Sequence, residues 1–269
     1  MRRVVPLRGF GAVLAGTLLA IFMASGQLRG QEPPVIAAAA SLQFALEDIA
    51  EDFEDQTGEP LRLSFGSSGN LMRQIRQGAG FAIFLSADEA YALDLVRAGF
   101  AEDDGVLYAV GRLALVVPDG SSLQADGQLE DLQQALEDGR LRRFAIANPE
   151  HAPYGMRARE VLEHKGLWQA IQPKLLRGEN VSQAAQFATS GNADGGLVAY
   201  SLAVSPKLSQ RSSHALVPED WHKPLRQRMI RMNNAGPVAE RFYAYLQSEA
   251  ARRVFRRYGF LLPGESLGQ

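Results

Sequence analysis

The 269-residue chain has no cysteine, only four histidines and two tryptophans. Without cysteine there is no disulfide, no thiolate nucleophile and no Cys-based zinc site, so the fold must be held by its core alone. His151, His164, His214 and His222 are too scattered along the sequence to suggest a metal site. A surplus of basic charge is also missing, with 28 Lys and Arg against 30 Asp and Glu. Nucleic acid is therefore not an expected partner, because its binding needs clustered cations. Beyond residue 26 no apolar stretch approaches the roughly 18 residues of a membrane span. Repeats, low-complexity linkers and long charge runs are absent as well.

The N-terminus reads differently. Arg2, Arg3 and Arg8 precede an apolar stretch over 10–24, and Ala24-Ser25-Gly26 offers small residues for cleavage. This predicts a secretory signal peptide over 1–26, followed by a tether over 27–34. Cleavage would remove three arginines and no acid, making the net charge of −2 more negative.

From residue 35 onward, short apolar runs alternate with amphipathic stretches. Strands are expected at 35–39, 61–65, 81–85, 107–117, 144–147, 197–200, 214–217 and 226–232. Leu42, Ala45, Leu46, Ile49, Ala50 and Phe53 fall at helical spacing before Gly58. Further helices are expected at 70–77, 156–165, 181–190 and 237–257, the last opening on Pro237. Ser86 and Glu89 have the spacing of a capping box. Strand–helix alternation predicts an α/β fold with mostly parallel sheets, and its restart near Phe144 predicts two lobes.

Four strand-to-helix junctions share one chemistry. Ser41 follows a run of four alanines. Ser67 and Ser68 lie between Gly66 and Gly69. Tyr154 and Gly155 follow the stiff stretch 148–153, and Val181 follows Arg177-Gly178-Glu179-Asn180. Helix N-termini carry unpaired N–H donors and partial positive charge, so they bind anions without Lys or Arg. In open α/β sheets such sites lie at the carboxyl ends of strands. The plainer alternatives are an N-cap at Ser41 and a tight turn with a cap at Ser67-Ser68. A Ser–His pair with any of the four histidines stays open, but no G-x-S-x-G elbow is present. Trp168 and Trp221 read as packing residues.

These segments resemble the periplasmic molybdate-binding protein family, ModA, over about Val35 to Leu261. The likeness is densest at 38–42, 64–69, 85–88, 147–155 and 177–181, and in the closing Arg257-Tyr258-Gly259-Phe260. The resemblance implies a two-lobed periplasmic-binding-protein fold of type II, with lobe 1 over 35–112 plus 205–269 and lobe 2 over 113–204. It implies a periplasmic, monomeric receptor that needs no cofactor, binds molybdate or tungstate, and delivers it to an ABC permease in the inner membrane. The implied ligand residues are Ser41, Ser68, Tyr154, Val181 and Ala199. In some members a tyrosine near the last position donates a phenol; here Tyr200 comes one residue later, and Tyr154 is the other candidate. The rival expectations are the same fold tuned to sulfate or phosphate, and a secreted serine hydrolase.

Overall fold

The computed structural model describes Met1 and residues 32–265. The expected signal peptide beyond Met1 and most of the tether lie outside the described residues. Among the described residues no helix is long and apolar enough to cross a membrane.

In chain order the first half holds β1 (Val35–Ala39), α1 (Gln43–Thr57), β2 (Arg62–Gly66), α2 (Ser68–Arg76), β3 (Phe81–Ser86), α3 (Glu89–Arg97), β4 (Val106–Gly111), β5 (Leu113–Pro118), α4 (Glu130–Glu137) and β6 (Phe144–Ala147). There follow α5 (Pro153–His164), α6 (Trp168–Ile171), β7 (Leu175–Gly178), α7 (Val181–Thr189), β8 (Gly195–Ala199), α8 (Tyr200–Ala203), α9 (Pro206–Ser209), β9 (Ser212–Leu216), β10 (Leu225–Arg231), α10 (Pro237–Tyr245) and α11 (Glu249–Arg257).

Among the described residues two five-stranded sheets result, in the orders β2-β1-β3-β10-β4 and β7-β6-β8-β5-β9. The expected parallel pairing holds for β1, β2 and β3 and for β6, β7 and β8. Each sheet is nevertheless mixed. β10 runs antiparallel between β3 and β4, and β5 runs antiparallel between β8 and β9. The inserted strand in each case is the one on which the chain arrives from the other sheet.

Two expectations are corrected by this topology. The single strand predicted over 107–117 is two strands broken at Arg112, because β4 and β5 belong to different sheets. An apolar run cannot reveal such a change of partner. Likewise the boundary expected at 205 puts β9 in the first lobe, whereas β9 pairs with β5 in the second sheet. The chain returns to the first sheet only along 217–224. The predicted helix over 237–257 is also split, and Ser248 caps its second half by accepting from the Ala251 N–H at 3.3 Å.

Alternation along the strands builds the layers of the first lobe. Ala37 and Phe84 pack with Leu71, Ile75 and Leu95 of α2 and α3. Ile36, Ile83 and Leu85 point the other way, into the cluster holding Phe53 of α1, Phe242 of α10 and Phe255 of α11. In the second lobe α5 and α7 pack on β6 and β8. Helices that cover both faces of each sheet thereby begin beside the carboxyl ends of β1, β2 and β6.

Candidate functional site

Ser41 sits in a 3-10 turn, Ala40–Leu42, between β1 and α1. The plain N-cap reading fails here, since no side chain caps this turn and the buried Ser41 hydroxyl has no hydrogen-bond partner. Its carbonyl accepts from Ser201 Oγ at 2.7 Å.

Ser68 is the first residue of α2, and Ser67, at the cap position, does not cap either. Ser68 Oγ instead accepts the Ala87 N–H at 3.0 Å, while Ser67 Oγ bonds His151 Nδ1 at 2.8 Å. A hydroxyl whose oxygen already accepts still has its hydrogen to give. The Gly69 N–H donates to the His151 carbonyl at 3.0 Å, and a Cβ on Gly69 would lie only 2.7 Å from that oxygen. Glycine is required for this approach of two backbones.

Tyr154 is the second residue of α5. Pro153 before it has no N–H, so the Tyr154 amide is the first orphan donor of this helix. The phenol is buried and accepts from Gln227 Nε2 at 3.1 Å. Burial pushes its pKa well above the usual value. The neighbouring Ser41 and Gln227 side chains and the Arg112 charge offset this only in part. The Ser41 hydroxyl lies beside the phenol without forming a well-aligned hydrogen bond to it.

Val181 opens α7. The Asn180 side chain caps that helix by accepting from the Gln183 N–H at 3.0 Å, so the cap does not take up the N–H of Val181, the first residue of the helix. One residue on, Ser182 Oγ donates to the Ala40 carbonyl at 2.9 Å. Four of the five expected residues, Ser41, Ser68, Tyr154 and Val181, therefore line one small cavity of about 10 Å³, open on one side to solvent. Alanine and glycine make up most of the remaining wall, and no charged side chain belongs to it. The N-termini of α2, α5 and α7, helices of 9, 12 and 9 residues, all meet here.

Ala199 is the exception. It ends β8, fully buried and paired with Leu113, and is not part of the cavity wall. Tyr200 also faces elsewhere, its ring under the Arg112 guanidinium at 4.6 Å and close against Gly259. Strand neighbours point to opposite faces, but here the cause is simpler: β8 ends at Ala199 and α8 turns the tyrosine away.

Several bonds that hold the site cross between the lobes. Arg157 of α5, almost fully buried, donates to Asp88 Oδ2 at 2.7 Å and to Glu160 Oε1 at 2.6 Å. Asp88 in turn caps α3, accepting from the Ala90 N–H at 3.0 Å. The predicted capping box does not form: the cap is Asp88, two residues later and without a reciprocal partner, and Ser86 ends β3. Ser201, Ser182, Arg157, Tyr108 and Gln227 went unread in the sequence, since nothing near them in the chain marks them. The Ser–His pair left open above is Ser67–His151; the mostly exposed Glu179 carboxylate stands 3.7 Å from its Nε2. Among the described residues no group of three His, Asp or Glu is placed to hold a metal ion.

Residues 34–261 match the family of bacterial extracellular solute-binding proteins. The chain is 33% identical over 248 residues to the molybdate-binding protein ModA of Rhodobacter capsulatus, covering 91% of this chain and 94% of that protein. The solved periplasmic molybdate-binding protein of Azotobacter vinelandii superposes with a TM-score of 0.78 at 31% identity, over 86% of this chain and 99% of the other. The sulfate-binding protein SubI of Mycobacterium tuberculosis shares the fold, with a TM-score of 0.70 at 16% identity over 87% of this chain and 88% of the other.

Proposed function

The chain belongs to the ModA family of periplasmic molybdate-binding proteins, and from that premise we propose that it captures molybdate between its lobes and delivers it to an ABC permease for import. The donors in this reading are the Ser41 and Ser68 hydroxyls, the Tyr154 phenol, and the N–H groups of Tyr154 and Val181. One observation carries it. Three buried hydroxyls keep hydrogens to donate around a small cavity that has no side-chain cation in its wall. Preorganised neutral dipoles in a dry site stabilise an anion without ion pairing.

Tungstate, with the same shape and charge, fits the same donors. Hydrogen phosphate is a poorer match, because its own proton needs an acceptor and no carboxylate lines the cavity. Sulfate is a smaller tetrahedral dianion, so in this reading discrimination against it rests on the span between the donors. The ion is cargo, and no catalytic step is assigned to the site. In this reading the protein is a periplasmic monomer, and its macromolecular partner is the permease.

Calorimetric titration of the mature protein with molybdate, tungstate, sulfate and phosphate tests the proposal. Binding of molybdate and tungstate far tighter than sulfate is expected. Tight binding of sulfate with none of molybdate would replace the ligand. The Ser67–His151 pair keeps one rival measurable: stoichiometric labelling of Ser67 by a serine-directed phosphonate would support a hydrolase instead.

A further inference from the structure

Behind the cavity lies a buried polar chain that the anion itself does not require. Gln227 of β10 is fully buried in the first lobe. Its Oε1 accepts from the Tyr108 phenol at 2.9 Å, and its Nε2 donates to the Tyr154 phenol oxygen at 3.1 Å. The Ser86 carbonyl is a second acceptor for Tyr108, but at 3.4 Å it is the longer contact. A phenol has a single hydrogen. With that hydrogen on Gln227 Oε1, the amide is fixed with Nε2 toward Tyr154. The Tyr154 oxygen then accepts, and its own hydrogen is left over, beside the unpartnered Ser41 hydroxyl in the cavity wall.

Close packing leaves this arrangement little freedom. Gly111, the last residue of β4, lies against the Tyr154 phenol oxygen and Gln227 Nε2, so close that a Cβ there would overlap both. The chain also crosses the lobes, because Tyr154 belongs to α5 of the second and Gln227 to β10 of the first.

We infer that Gln227 is a positioning residue for oxyanion capture: it receives the Tyr108 hydrogen bond, donates to Tyr154, and so turns the Tyr154 O–H into the cavity as a donor when the lobes are together. The inference rests on the oxyanion-binding reading above. It deepens that reading by naming what sets the direction of the phenol. A reversed amide would take the Tyr154 hydrogen for itself and leave the anion facing a lone pair.

The test is a double-mutant cycle in calorimetry, using wild type, Tyr154→Phe, Gln227→Leu and Tyr154→Phe/Gln227→Leu titrated with molybdate, tungstate and sulfate. Tyr154→Phe is expected to weaken binding of the preferred anion about ten- to a hundredfold, the usual range for a hydrogen bond to a charged group. Gln227→Leu is expected to fall in the same range, and the double variant to bind no worse than Tyr154→Phe alone. Tyr108→Phe, which frees the amide to reverse, is a second probe should Gln227→Leu fold poorly, and a loss that also vanishes in the Tyr154→Phe background is expected. Full affinity in both the Gln227→Leu and Tyr108→Phe variants, or a loss undiminished by Tyr154→Phe, would overturn the positioning role while leaving the function intact. Absence of binding of every anion by wild type would instead overturn the functional reading and this inference with it.

Discussion

Replacing Ser41 by Ala removes a buried hydroxyl that bonds to nothing else, so the fold loses little and the anion loses one donor. Affinity for molybdate is expected to drop about ten- to a hundredfold with an unchanged urea midpoint. Ser68→Ala differs in an informative way. Its oxygen also accepts the buried Ala87 N–H, so this variant loses affinity and roughly 1–3 kcal/mol of stability together. Calorimetry and urea unfolding on the two proteins separate these cases. Equal midpoints in both would show that the Ala87 bond is unimportant, and full affinity in both would remove the serines from the site. Neither distinction can be read from the two serines as letters, since each follows a strand and precedes a helix.

At the level of elements, the device is a set of helix beginnings brought to one place by backbone contact. The first turn of α2 touches the loop before α5 through Gly69 and His151, with no side chain between them. Gly69→Ala places a methyl against the His151 carbonyl and should wedge the two helix ends apart. The expected result is weaker molybdate binding with secondary structure retained, measured by calorimetry and circular dichroism. Undiminished affinity in this variant would mean that the α2 and α5 ends need not meet. The ion pair between Arg157 and Asp88 holds α5 to α3, and Asp88 is buried enough that losing Arg157 leaves its carboxylate without a cation.

For the whole molecule, closure should couple binding to compactness and heat stability. Bonds from Ser182, Ser201, Tyr154 and Arg157 already join the lobes around the cavity. A ligand that binds only the folded, closed state adds about 4 kcal/mol at a thousandfold excess over Kd. A smaller radius of gyration by X-ray scattering and a higher Tm are expected with saturating molybdate; no change in either would sink the cleft model. Stability should also depend on pH through His222, in the 217–224 crossing. Burial holds its imidazole below the ordinary 6.5, and Arg157 adds to this, while the Lys223 carbonyl, Glu160 and Glu219 oppose it. With the folded value depressed, the unfolded chain takes up a proton first as pH falls. Stability is therefore full above about 6.5 and declines below it. Melting scans at pH 7.5 and 5.5 should show a drop that is smaller in His222→Gln, and an equal drop in both would clear His222 of the effect.

The sequence alone carried the α/β class, most of the helices and strands, and the residue types of an anion site, because periodicity, glycine stops and strand-to-helix junctions are local properties. Ser41, Ser68, Tyr154 and Val181 were legible for that reason: each sits at the start of its own helical turn. Only the tertiary structure decided that these four share a cavity and that Ala199 does not. It also decided that one apolar run serves two sheets and that β9 belongs to the second lobe. Strand partnership and cavity lining depend on residues far apart in the chain, and Gln227 meets Tyr154 across 73 positions of sequence that carry no trace of the contact.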